Sequence, residues 1–501
     1  MEVPSGHWQA MEPSRLRITG LWVVATTLAL GMGACSSGGN DQPKPDTGVD
    51  MTTGNDVVDD TPTGNDTADD TPTGNDTADD TPVNTDGGVD TGMDAPGVDC
   101  APVPTGTTPA GTAPQQAAGP TVATTATRPE LSDTQAGQYT VQKAMAAGFN
   151  ITYGDGGVPP VTYSMNDGWD PQANGIGDPA TFTPMFTVAP DGSGDQPNIN
   201  QAFLAANALG VCGRVYIRLL PGEYRGVMQL PSKTSAPAIT LYSTETDASK
   251  TVIINNNATA TVGSMSNSAT FTVKAIRNFQ MKNITVANDY VEGSATGNQG
   301  AVAMLLQADR SQFENVRFIG NIGTLYVKSA SENVVARSYF RDCYIEGDQD
   351  FITGRGTAVF DHCEIKVVTA RQTTGLSIGY PSTLVFNPYG FLFDSCKFTA
   401  DTGATGVALA RQWVEAGDGG SATAGWAVGK MIVRNSTLGA HLAGAAPWST
   451  TGARTTTPKD PAGTTPLLLY TSDDYYPAGA GPAPAEPYVA EYRNSGPGAH
   501  Q

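Results

Sequence analysis

Histidine is scarce, with four in 501 residues, and the six cysteines form no C-x-x-C pair. Without ligand spacing of that kind the sequence argues against a metal centre, and nothing in it calls for a cofactor. Basic residues are few: 28 Lys and Arg stand against 49 Asp and Glu, and they form no stripe. That absence removes the electrostatic footprint of a nucleic-acid binder. A continuous apolar run long enough to cross a bilayer comfortably is also missing.

What is present is strongly partitioned. Residues 36–100 hold 16 Asp and one Lys, a net −15 of the chain's −21, while residues 1–35 are neutral; the remaining body carries only −6. The acidity therefore belongs to a tail. "TPTGNDTADD" stands at 61–70 and again at 71–80, with a looser copy at 51–60. With so few apolar residues this stretch is expected to be a solvated, disordered tether over 36–127. Ahead of it, Arg15 and Arg17 precede an apolar run of signal-peptide length that ends in "MGAC". The segment resembles a bacterial lipobox, which makes 1–35 a lipoprotein leader and Cys35 the lipidated residue. Ser36 then points to the outer membrane, on its periplasmic or surface face. Cys100, Cys212, Cys343, Cys363 and Cys396 would sit where disulfides persist.

Order is expected from about residue 128. Ser132 and Gln135 form a capping box opening a short helix that would run to Gly148, and "NINQAFLAANALG" reads as a second helix closed by Gly210. Beyond these the chain becomes all-β and repeats itself. "FQMKNITV", "FENVRF", "FRDCYI", "FDHCEI", "FDSCKF" and "VRNSTL" share one strand pattern, with inner positions at 284, 316, 343, 363, 396 and 436. Unequal gaps around a constant strand are the mark of a solenoid with variable loops, and a parallel β-helix over 128–501, expected to be a monomer, follows. Cys343 and Cys363 take the same place in consecutive coils, about 4.8 Å apart, within reach of a disulfide. A 363–396 bridge and three simply buried thiols remain open beside it. Long loops near 415–428 and 447–490 complete the layout.

The stretch "YIEGDQDFITGRGTAVFDHCEI" (344–365) presses Asp350 against Phe351 and Ile352. It resembles the signature G-x-V-D-F-I-F-G of the pectinesterase family, right-handed parallel β-helix (pectin lyase-like) enzymes. "FTVAPDGSGDQPNINQAF", "IRLLPGEYRG", "QGAVAMLLQADRSQFENVRFIG", "VALARQW" and "EYRNSGPGA" follow in the family's order, so the resemblance covers roughly 185–499. It implies Asp350 as the nucleophile on an ester carbonyl, Arg411 as the guanidinium that holds it, and Trp413 and Phe351 as groove residues. Gln299 lies one residue from the family's first glutamine. Chemically the set is coherent: desolvation by Phe351 and Ile352 disfavours a charge at Asp350, and a planar guanidinium restores it while orienting both oxygens. Asp348 and Glu346 read as solvated loop acids.

One segment departs. Where the family has Y-Q-D-T-L-Y, this chain has "NIGTLY" (321–326), so Ile322 replaces a glutamine that stabilises the oxyanion and Gly323 replaces the acid serving the leaving group. Losing an oxyanion donor costs about 10²–10³ in rate and losing general acid catalysis about 10²–10⁴. The resemblance implies an esterase acting on methyl-esterified, pectin-like polygalacturonate in cell-wall modification, weakened at that corner. Two other readings stand beside it: an acyl-CoA thioester hydrolase of the outer membrane, whose thiolate leaves without help, and a surface lipoprotein that only binds polysaccharide.

Overall fold

The structure, a computed structural model, describes residues 130–146, 168–211, 213–230, 237–291, 299–329, 336–383, 389–411, 429–443 and 488–500, with residues 128, 413 and 415 and the strand Trp448–Ser449. Cys35, Cys100, Cys212, the leader, the tether and most of the two long loops lie outside these residues. Three parallel sheets, of ten, eight and eight strands, run side by side along one axis as a right-handed parallel β-helix. A complete coil contributes one strand to each sheet: Arg337–Arg341, then Tyr344–Gly347, then Ile352–Gly354, before the next coil begins at Thr357–Asp361.

The repeated pattern is explained by one corner. Asn283, Asn315, Asp342, His362, Ser395 and Asn435 all have left-handed backbone, with φ between 50° and 60°. Each stands just before the inner residue of its repeat and turns the chain from the first sheet into the next. Asn and Asp tolerate this conformation better than other side-chain-bearing residues, which is why they recur there. The backbone N–H of each donates to a carbonyl one rung on, as from Asp342 to Asp361 (3.1 Å) and from His362 to Asp394 (3.1 Å). Inside, identical positions stack. Phe313, Phe340, Phe360 and Phe393 are register partners, and their rings lie near-parallel at 4.8, 4.9 and 4.5 Å. The strand spacing sets that distance, and burial of these rings along a continuous core holds the coils together.

The same stacking places Cys343, Cys363 and Cys396 on successive rungs, all buried, but the thiols are free. The expected 343–363 disulfide is not formed. Parallel neighbours point their Cβ atoms the same way, and each Sγ–H turns to a carbonyl of the preceding coil: Cys343 to Phe313 (3.6 Å), Cys363 to Phe340 (3.4 Å), Cys396 to Phe360 (3.2 Å). Burial pushes the Cys343 and Cys396 thiols up.

The capping box forms, with Gln135 N–H donating to Ser132 Oγ and Ser132 N–H to Gln135 Oε1. The helix it opens is only Asp133–Ala136; a second, Val141–Ala146, replaces the single longer helix expected. Gly137 and the residues after it break the run, because Leu131 and Tyr139 must both pack on the outside of the first sheet. Ile199–Ala208 forms as expected, capped by Asn198 and followed by Gly210 with φ 62°.

Candidate active site

Asp350 sits at a second left-handed corner, φ 49°, where the chain enters the strand Ile352–Gly354. The pairing Leu325↔Ile352 and Ile352↔Gly379 sets Gly323, Asp350 and Ser377 level with one another on successive rungs. Three things fix the Asp350 carboxylate. Arg411, from the strand Ala408–Arg411, donates Nε to Oδ1 (2.8 Å) and Nη2 to Oδ2. Ser377 Oγ–H donates to Oδ1 (2.6 Å). The Asp350 backbone N–H reaches the Ser377 carbonyl at 2.8 Å. Burial works against the Arg411 charge, but the Asp350 carboxylate overrides it and holds the guanidinium above its ordinary range. An ionised carboxylate with both oxygens aimed is what nucleophilic attack on a carbonyl requires.

An aromatic surface flanks this pair. Tyr326, Thr353 and Tyr380 are register partners on the outer face of one sheet. Trp413 lies over them, stacked on Tyr380 at 5.4 Å and 7° and 5.7 Å from Tyr326. Arg411 also covers the Tyr380 ring, at 5.2 Å. Burial, then the Asp350 charge, pushes the Tyr380 hydroxyl up, so it stays protonated. Trp413 is tethered through its backbone N–H to Pro381 (3.0 Å), and Glu415 beyond it takes Tyr326 Oη–H and lies 3.4 Å from Lys328 Nζ.

Asp350, Arg411 and Trp413 are thus brought together as expected. Phe351 is not part of the groove: it is fully buried in the core together with Ile352, just after the left-handed corner at Asp350. Gln299 is buried. The acids at 346 and 348 are not free loop acids either. Asp348 is 0 % exposed and takes Arg371 Nε and Nη2 at 2.7 and 2.9 Å. Glu346 lies within the strand Tyr344–Gly347, where burial raises its carboxyl and Tyr344 Oη–H bonds it at 2.6 Å. Ser377, Tyr380 and Tyr326 are not legible in the sequence, because their place around the site is a matter of rungs and not of sequence distance, and the same holds for Arg371 on Asp348.

The neighbouring corner is apolar. Gly323 has φ 71°, and a Cβ built there would come within 2.2 Å of Met265 Cε and 4.0 Å of Val302 Cγ2. Met265, from the segment after a short helix at Thr259–Val262, packs against the cluster of Ala269, Val302, Leu305 and Tyr326, as Trp413 also does. It fills the space a side chain at 323 would need.

The Pectinesterase family profile matches residues 185–413. A pectinesterase of Ralstonia solanacearum is 38% identical over 348 residues, covering 65% of this chain and 84% of its own. The chain belongs to the pectinesterase family. Members of the pectinesterase family are carboxylic ester hydrolases. Another relative is the Escherichia coli protein YbhC, described as a putative acyl-CoA thioester hydrolase, 26% identical over 307 residues, covering 53% of this chain and 69% of its own. Among solved structures, rice weevil pectin methyl esterase superposes with a TM-score of 0.56 at 25% identity, covering 74% of this chain and 98% of its own. Crystalline YbhC gives 0.56 at 25%, covering 76% and 98%.

Proposed function

We propose that this pectinesterase-family protein hydrolyses carboxylic esters through Asp350, with the methyl esters of a pectin-like polygalacturonate as substrate. The observation that carries the reading is the Asp350 carboxylate held bidentately by Arg411 and by the Ser377 hydroxyl beside the Tyr326–Trp413–Tyr380 surface. One Asp350 oxygen attacks the ester carbonyl carbon, and the carbonyl π pair moves to oxygen. Collapse expels the alkoxide, which takes a proton from water, and leaves an acyl-Asp350 anhydride. A second water opens the anhydride, returning the carboxylate and releasing the acid. Sugar rings would lie on the aromatic faces.

The apolar corner at Gly323 favours a second reading on the same nucleophile. No carboxyl stands there to protonate a leaving alkoxide, and Met265 occupies the place. A thiolate departs unaided, so an acyl thioester is the substrate that this corner suits. Methanol release from methylated polygalacturonate and thiol release from an acyl-CoA, each compared between wild type and Asp350→Asn, test both. Equal rates in wild type and variant on both substrates would remove Asp350 from the chemistry. We further propose that lipid on Cys35 anchors the body to the outer membrane through the acidic tether; metabolic labelling of wild type against Cys35→Ala checks this, and label retained in the variant overturns it.

A further inference from the structure

The nucleophile's immediate neighbour, Gln349, has no role in the reading above, and its placement gives it one. Ile322 and Gln349 are paired across adjacent rungs by a parallel bridge. The family pattern has glutamine at the first of these positions and valine at the second; this chain has isoleucine first and glutamine second. The amide is therefore present at the same pair of corners, displaced by one rung, about 4.8 Å. Gln349 is half-buried. Its Oε1 accepts from Gln372 Nε2 at 3.5 Å. Arg371, beside Gln372, is clamped on Asp348, so the loop that presents Gln372 is fixed to the same corner. With its oxygen engaged, the Gln349 side chain keeps two N–H donors, and among the described residues no acceptor takes them.

We infer that Gln349 supplies the oxyanion donor of this site, its amide N–H stabilising the charge that develops on the carbonyl oxygen when Asp350 attacks. The inference rests on Asp350 being the nucleophile. It accounts for how a site with isoleucine at 322 keeps a donor beside the reacting carbon, and it makes Asp348 and Arg371 positioning residues that act through Gln372 and Gln349. An interaction made only with the oxyanion acts in the transition state, so its loss lowers kcat and leaves KM in place.

The test uses the full chain and p-nitrophenyl acetate, whose leaving group needs no proton. Gln349→Glu keeps the shape and the acceptor for Gln372 but removes both donors. It should lower kcat by about 10²–10³ with KM and the melting temperature little changed. Ile322→Gln added to Gln349→Val should recover at least roughly ten-fold over Gln349→Val alone, since the amide returns on the adjacent rung. A Gln349→Glu enzyme within about three-fold of wild-type kcat, alongside an inactive Asp350→Asn enzyme, overturns the role of Gln349 and leaves the nucleophile standing. An Asp350→Asn enzyme as active as wild type overturns the nucleophile, and the oxyanion role with it.

Discussion

Two corners of this solenoid, one rung apart, share a backbone and oppose each other in chemistry. At Asp350, φ is 49° and the side chain meets Arg411 and Ser377; at Gly323, φ is 71° and the space beyond is occupied by Met265. The parallel ladder makes the two positions equivalent whatever residues they carry. The fold therefore supplies a slot, and composition alone decides whether it holds a charge or a thioether. A repeat architecture allows the residue at one corner to change without moving its neighbour.

The largest test breaks the charged corner. Asp350→Asn should lower hydrolysis by roughly 10⁴–10⁶-fold, read as kcat on whichever ester the wild type accepts. The next converts the apolar corner to match it. Gly323→Asp combined with Met265→Ala makes room for a carboxyl on the adjacent rung. It should raise methyl-ester hydrolysis by up to about 10²–10⁴ while changing thioester hydrolysis little, so the ratio of methanol to thiol release is the measurement. Gly323→Asp alone should do less, because Met265 must first be displaced. Arg411→Lys keeps a positive charge but loses the two-pronged grip, and a drop of about 10²-fold in kcat is expected; an unchanged rate would mean that orientation of the carboxylate is not limiting. The mildest is Ser377→Ala, which removes one hydrogen bond to an ionised group. A loss of about 1.5–3 kcal/mol from the bond should appear as roughly ten-fold or more in kcat/KM, with the fold intact by circular dichroism.

Legibility differed between fold and site. Alternation in "FRDCYI" and "FDHCEI", with a polar residue before each inner position, was enough to read the strands and their repetition; those polar residues are the left-handed corners Asp342 and His362. Asp350, Arg411 and Trp413 were also readable, because each lies in a short motif. The disulfide was not, since rung spacing permits a bond that thiol direction does not make. Phe351 was misread because a motif names a residue without naming the face it occupies. Asp348 reads as a loop acid until Arg371, 23 residues away, is seen on it.

Local residue type thus determined that the chain winds into parallel coils, where each coil turns, and which acid stands in the family signature: strand alternation, left-handed corners and short motifs depend on neighbours in the chain. Tertiary structure alone decided what stands level with that acid. Coils differ in length from about 20 to 40 residues between equivalent positions, so counting along the chain does not reveal that Gly323, Asp350 and Ser377 share a line. It does not reveal either that Met265 reaches the first of them or that Gln349 lies opposite Ile322. Those are properties of register between rungs, set by hydrogen bonds across the stack.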